Sequence, residues 1–586
     1  MLNDLRNDAM LDRLQRAKQK AASRKPKWPD KHLIGINDKA VPFHRAQEMV
    51  WDSDRRIVAY LSGTQSGKCG RFFVLLSTGK RVFVSDVKVG DIVLSLGRDL
   101  KIERNTVTAS FSSGIQETYR VTTASGRSIV TTKEHPVYTE WGWVPVGELS
   151  PGDWVGVPRR LPELGTEARP RAEMKLLGYL LGDGGLTHMS PVFTNADRAI
   201  LDDMESILPE PCTLKYVSRY DYRISGPRLG GIKDSNPVTK LCREWGIYGT
   251  LAKHKRIPEF VFTLNNESIA HVLNALYSCD GTVGKNGAIE ICLASEGMID
   301  DIQHLLLRFG IVGRKKYKLS HCEGKEFDAW RLHFKNEDAV GIFYSQIGFT
   351  GEKSGRLRDY LVNLGEIRPN GKDVIPNFPR QKCVDILGHP RGNGQEHWDQ
   401  DGFLLLRASR RENVARWMAQ RLFKHFFVGE YEAYSDIYWD KIDSVKPLGL
   451  QEVFDITVEN GHNFIADDIF AHNTSLAPWW LAREIQRRGS GDYLAVTASF
   501  DLFRAKFLRE MLKVFEQILQ NGRYWAGDKI IELADPETGK FWAERASDAM
   551  WGRIIPGGQR RKSIRERCGH RTTWVSASIR CRPRRP

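Results

Sequence analysis

Two halves of one phosphate-binding loop stand more than four hundred residues apart in this chain. Ile57-Val58-Ala59-Tyr60-Leu61 reads as a short buried strand, and it feeds Gly63-Thr64-Gln65-Ser66-Gly67-Lys68. A loop of this kind needs Ser or Thr directly after its Lys, to hold Mg2+, and then a helix. Cys69 and a β-rich sequence follow instead. Beyond Ala471-His472-Asn473, however, come Thr474-Ser475, a helix-like stretch over 476–488 and an apolar strand over 493–497. Joining Lys68 to Thr474 restores strand, loop and helix in order. Residues 69–473 are therefore an insert of 405 residues, and 181 residues of host remain.

The insert changes character along its length. Short strands punctuated by Gly79, Gly90, Gly97 and Gly126 are expected at 72–76, 81–84, 91–96, 118–123 and 128–132. Helical patterns take over beyond about 158, and strands return at 442–445, 453–458 and 463–466. Residues 2–25 read as an amphipathic helix before a basic, Pro-broken linker. At 586 residues the chain holds three to five domains of ordinary globular composition, 41% hydrophobic and 27% charged. Nine cysteines are scattered without a CxxC pair, which fits a reducing compartment. No apolar run is long enough to span a bilayer, and Met1-Leu2-Asn3-Asp4 does not open a signal peptide, so a cytoplasmic protein with no membrane partner is expected.

The ends of the insert carry the residues a self-excising segment needs. Cys69 can attack the Lys68 carbonyl to give a thioester, the Thr474 hydroxyl can accept that acyl group, and the Asn473 side chain can cyclise onto its own carbonyl. In this respect 69–160 and 432–473 resemble the intein family, whose splicing domain has the Hint fold, an all-β horseshoe. Thr132-Lys133-Glu134-His135 resembles the family's TxxH block, which implies that Thr132 and His135 assist the first acyl shift. Val453-Phe454-Asp455-Ile456-Thr457-Val458 with His462-Asn463-Phe464 resembles its penultimate block, which gives Asp455 and His462 proton-relay roles. His472, in the final block, would hydrogen-bond the Asn473 carbonyl.

Between these segments, Leu176-Leu177-Gly178-Tyr179-Leu180-Leu181-Gly182-Asp183-Gly184 and Leu273-Asn274-Ala275-Leu276-Tyr277-Ser278-Cys279-Asp280-Gly281 form a degenerate repeat spaced by 97 residues. Small residues let two such helices approach closely, and paired aspartates at their ends suit Mg2+ on a scissile phosphate. The repeat resembles the LAGLIDADG (dodecapeptide) homing endonucleases in monomeric form. That resemblance implies metal sites at Asp183 and Asp280, a catalytic role for Lys255 within Lys253-His254-Lys255-Arg256, and double-stranded DNA at the intein-less insertion site as partner. Arg314-Lys315-Lys316-Tyr317-Lys318 reads as a DNA-backbone contact strand or as an exposed one.

The joined flanks resemble the ATPase start of a phage terminase large subunit. Pro42-Phe43-His44-Arg45-Ala46-Gln47 looks like an adenine-reading motif, which implies an ATP site of Gln47, Gly63, Gly67, Lys68 and Thr474 with Mg2+, and phage DNA and a procapsid portal as partners. The chain would then be phage or prophage encoded and act in a bacterial host cell.

The fold class expected is multidomain. An all-β Hint horseshoe is split by an α+β LAGLIDADG endonuclease domain and flanked by fragments of an α/β P-loop ATPase. The divisions are 1–68 host, 69–160 Hint, 161–350 endonuclease, 351–431 an extension or linker, 432–473 Hint, 474–558 host ATPase and 559–586 a basic tail, which is a frameshift product or a DNA-binding tail. The formal net charge of +15 divides as +6 for 1–68, −1 for the insert and +10 for 474–586, so an endonuclease within the insert must use local basic strands. The competing readings are a DNA-packaging ATPase with an inert insert, and an autoprocessing Hint protein that cleaves without ligating. Asn473 followed by Thr474 argues against the latter.

Overall fold

The computed structural model describes residues 72–226, 236–322, 325–379, 383–384, 400–459 and 463–472, together with short strands at 34–35, 39–40, 68–69, 492–497, 522–525, 530–533, 553–556 and 575–580. The amphipathic helix expected at 2–25, the phosphate loop before Lys68 and the helix expected at 476–488 lie outside the described residues, as does most of the basic tail. None of the described helices is long and apolar enough to cross a membrane.

Twelve strands, drawn from both ends of the insert, form one antiparallel sheet. Its backbone is a pair of 22-residue strands, Ile102–Thr123 and Ile437–Val458. They run against each other from Ile442↔Thr123 to Val458↔Val107. Gly114 and Gly449, residues of a type that often ends a strand, both have positive φ. In the fold they are irregularities inside a continuous ladder, whose register shifts between Pro447 and Gly449 and again between Val453 and Phe454. A bulge absorbs one residue and bends the strand without ending it. The strand expected at 118–123 and those expected at 442–445 and 453–458 are thus parts of two long elements. Outside this ladder, the Asp436 carboxylate accepts from the Ile102 amide at 2.9 Å, which ties the first residues of the two strands together. The sheet encloses an aliphatic core that includes Val74, Val93, Val121, Ile129, Val137 and Ile456.

The middle of the insert is an αββαββα unit present twice. The first copy comprises α1 (Arg171–Asp183), strands Gly184–Gly185 and Val192–Thr194, α2 (Arg198–Ile207), strands Thr213–Ser218 and Asp221–Ser225, and α3 (Pro237–Glu244). The second comprises α4 (Asn266–Asp280), strands Gly281–Val283 and Ile289–Leu293, α5 (Glu296–Leu307), strands Arg314–Cys322 and Lys325–Phe334, and α6 (Glu337–Gln346). Each four-stranded sheet has the same order, first, second, fourth, third. The repeat that the sequence shows over nine residues therefore governs whole units.

α1 and α4 pack together through small residues. A Cβ on Gly178 would lie 2.4 Å from the Val272 carbonyl oxygen and 2.8 Å from the Ala275 Cβ, and one on Gly182 would lie 2.6 Å from the Cys279 Cβ. Gly184, which follows Asp183, is extended rather than left-handed (φ −81°), and a Cβ there would lie 2.3 Å from the Leu180 carbonyl oxygen. Close approach, and not a left-handed cap, is what requires this glycine.

Among the described residues, Ile375, Phe378, Val414, Met418 and Leu422 form part of a small separate core. Arg416 is buried there and donates to both Asp373 carboxylate oxygens and to the Glu432 and Ile437 carbonyls. Asp373 also accepts from Arg159 Nε at 2.8 Å, so this segment is pinned where the strand Ile437–Val458 begins.

Gly178→Val should lower the thermal unfolding temperature of a Cys69→Ala, Asn473→Ala precursor by an amount equivalent to about 1–3 kcal/mol, because the helices must separate to admit the side chain. An unchanged melting temperature would contradict the close packing of α1 on α4.

Candidate functional site

The upstream end of the insert lies inside the sheet. Strand Lys68–Cys69 pairs with Ser128–Thr131 on one side, in register Lys68↔Thr131, and with Ile437–Val458 on the other, in registers Val453↔Cys69 and Phe454↔Lys68. Thr132 is the next residue along the first neighbour, and Asp455 the next along the second. Both are buried, Thr132 completely and Asp455 at 1% exposure. The Thr132 hydroxyl oxygen finds no partner among the described residues, which suits a group held ready for a displaced backbone atom. His135 closes a tight turn, its amide donating to the Thr132 carbonyl at 3.2 Å, and it is fully buried.

The downstream end comes to the same place. Strand Ile469–His472 pairs with Pro136–Thr139 through Ala471↔Val137, so His472 falls beside the residues that follow His135. Its ring lies 4.6 Å from that of Trp143. The register Asn463↔His472 sets the partner strand. Buried Asn463 locks it to the sheet, accepting from the Leu96 amide at 2.6 Å and donating to the Leu96 carbonyl at 2.9 Å. Sequence reasoning quoted Asn463 only as part of a motif and gave it no task. Thr132 and Asp455 thus follow directly the residues paired with Lys68, and His472 falls beside the turn that His135 closes. His462, Asn473, Thr474, Gln47, Gly63 and Gly67 lie outside the described residues, and of Lys68 and Cys69 the strand positions alone are described.

A second cluster sits where α1 and α4 end. A Cβ on Gly182 would lie 3.2 Å from Asp280 Oδ2, so the two helix-terminal aspartates converge. Asp183 accepts from Asn195 Nδ2 at 2.6 Å, and burial raises its pKa. Burial, with the Asp183 charge nearby, pushes the Asp280 carboxyl up to about 7. Lys255 is buried and donates to the carbonyls of Leu180, Leu181, Gly182 and Gly184 at 2.8–3.2 Å, capping the C-terminus of α1. Lys353 does the same for α4, donating to Ser278 at 2.5 Å and Cys279 at 2.7 Å. Burial lowers the pKa of both amines. Sequence reasoning missed Lys353. It lies 73 residues after Asp280, as Lys255 lies 72 after Asp183, and this spacing was the available signal. Of the basic strand, Lys315 turns inward to Glu296 and Asp300, whereas Arg314, Lys316 and Lys318 are exposed.

A family model described as an intein splicing domain matches residues 73–473. The chain belongs to the intein splicing family. Among curated relatives, the replicative DNA helicase DnaB of Rhodothermus marinus is 31% identical over 450 residues, covering 71% of this chain and 46% of that protein. The protein RecA of Mycobacterium tuberculosis is 28% identical over 426 residues, covering 65% and 52%. The chain spans about half the length of these relatives. Among solved structures, a variant of the Ssp DnaB mini-intein has 13% identity and a TM-score of 0.23, with 70% of this chain and 92% of that one covered. The DnaB intein from Synechocystis has 30% identity over 16% of this chain and 70% of its own, with a TM-score of 0.16. Since 71% of this chain exceeds the 181 residues of both flanks, the DnaB match must run through the intein.

The half-buried Asp280 carboxylate gives the intein a pH signature. Its pKa is about 7 when folded against an ordinary 3.8, so the protonated form is favoured on folding. Stability tied to this group is complete below about pH 4 and falls as pH rises to about 7. Asp280→Asn should therefore raise the stability of the Cys69→Ala, Asn473→Ala precursor at pH 8 by roughly 2–4 kcal/mol and leave it unchanged near pH 4. Denaturant melts at the two pH values check this, and a gain independent of pH would refute it.

Proposed function

We propose that the insert excises itself through the residues gathered at its two ends. The Cys69 sulfur attacks the Lys68 carbonyl carbon and the bond to the Cys69 nitrogen breaks, leaving a thioester and a free amine. The Thr474 hydroxyl displaces the sulfur, which gives a branched ester. The Asn473 side-chain nitrogen then attacks its own carbonyl carbon, closing a succinimide and releasing the Thr474 amine. That amine displaces its own ester oxygen and forms the Lys68–Thr474 peptide bond. His135 protonates the departing Cys69 nitrogen, with Thr132 holding the peptide, while Asp455, His462 and His472 serve the later proton transfers. The observation that carries this reading is the register that places Lys68–Cys69 beside Thr132 and Asp455 and brings His472 up beside the His135 turn. Asn473→Ala should leave a precursor that dithiothreitol cuts between Lys68 and Cys69, and Cys69→Ala should form no ligated host. Ligation by the Cys69→Ala chain, read on a denaturing gel, would refute the scheme.

The doubled αββαββα unit supports reading 161–350 as a LAGLIDADG homing endonuclease on double-stranded DNA. Asp183 and Asp280 offer two hard oxygen donors, and a cation would relieve the repulsion that the Asp183 charge exerts on Asp280. Mg2+ held there would polarise a scissile phosphate, with Lys255 and Lys353 fixing the carboxylate-bearing helix ends. Asp183→Asn or Asp280→Asn should lower cleavage of the intein-less coding sequence at least about 100-fold; undiminished cleavage would overturn the assignment.

The flanks support a terminase-like DNA-packaging ATPase as host, with Gln47, Gly63, Gly67, Lys68 and Thr474 around ATP and Mg2+, and phage DNA and a portal as partners. Splicing would complete its phosphate loop. ATP hydrolysis should be absent from an Asn473→Ala precursor and present in the spliced product, and an active precursor would contradict this reading.

A further inference from the structure

The turn between the last two strands of the insert is built against the usual preference. Asp467 and Asp468 both have positive φ, 45° and 59°, a conformation for which two-residue hairpins ordinarily use Asn-Gly or Gly-Gly. Neither position is glycine here, and the side chains account for the choice. Asp467 Oδ1 accepts from the Phe73 amide at 3.0 Å, and the Asp467 amide donates to the Phe73 carbonyl at 2.9 Å, which ties the turn to the strand four residues beyond Cys69. Asp468 Oδ1 accepts from Nδ1 of His304 at 2.7 Å. Arg127 lies 3.8 Å from the other Asp468 oxygen, and together these neighbours hold that carboxyl below the usual range. Asp468 and His304 are both largely buried, at 8% and 4% exposure.

His304 does not belong to the splicing sheet. It lies on α5, in the second αββαββα unit, and α5 grips that sheet at further points. Asp301 on α5 is ion-paired to Arg81, beside strand Phe73–Leu75. Gln303 donates to the Ser125 carbonyl at 2.9 Å, and the Lys315 amide to the same oxygen at 2.8 Å. Asp468 is four residues from His472, along a strand with no slack between them.

We propose that His304 is a positioning residue for splicing: through Asp468 it holds the hairpin that presents His472 to the downstream junction. The helical units are then a structural member of the splicing centre, whatever they do to DNA. This rests on the reading of Asn473 as the residue that cyclises.

The test uses the full-length precursor, followed by mass spectrometry that separates downstream cleavage after Asn473 from dithiothreitol-induced upstream cleavage at Cys69. His304→Phe keeps the ring volume and removes the donor. It should slow downstream cleavage about tenfold or more, because small misplacements of a catalytic group are costly, and change upstream cleavage less than about twofold. His304→Gln, which can still donate, should recover most of the loss. Unchanged downstream cleavage, or equal slowing of both steps with a lowered melting temperature, would overturn the proposal. Downstream cleavage that survives Asn473→Ala would instead refute the underlying reading, so the two failures are distinguishable.

Discussion

Everything in the splicing half of this molecule depends on the ladder between Ile102–Thr123 and Ile437–Val458. These strands are separated by some three hundred residues of chain, and bringing them together has an entropic cost that grows slowly with loop length. The helical units reduce even that cost, since they fold around their own core and return the chain near its point of departure. Once the ladder is closed, Val453 and Phe454 lie opposite Cys69 and Lys68. The junction peptide is then a strand of the sheet, flanked by buried Thr132 and Asp455. Splicing chemistry requires that two chain ends meet, and the ladder supplies the meeting place.

The helical units show the opposite tension. Their hydrophobic helix pair delivers two carboxylates into a half-buried position, where desolvation raises both pKa values and the Asp183 charge raises that of Asp280 further. Buried Lys255 and half-buried Lys353 oppose this, each donating to helix carbonyls at one helix end. Paired carboxylates with raised pKa values, held at the ends of two packed helices, are the feature that motivates the cation proposed for this site.

The splicing family was legible in the sequence because the residues proposed for its chemistry sit at chain positions that such a reaction dictates. Cys69, Asn473 and Thr474 are fixed by the break in the phosphate loop, and His135 by its spacing from Thr132. The ends of α1 and α4 were readable from Gly178, Gly182 and Ala275, since close helix packing selects small residues. Less was legible where one residue type serves two ends. Gly114, Pro447 and Gly449 signal turns in isolation but here sit in bulges that only a paired strand reveals. Asn463 and Lys353 act through partners remote in sequence, Leu96 and the carbonyls of Ser278 and Cys279, so motif and spacing mark their positions without revealing what they bind.

The central claim is that both junctions of the insert are cut and the flanks are joined. The most direct measurement is the intact mass of the products after expression of the full chain. Polypeptides of 405 and 181 residues, the smaller containing Lys68 bonded to Thr474, are the expected result. Recovery of the 586-residue chain alone, or of the two flanks as separate fragments, would contradict it.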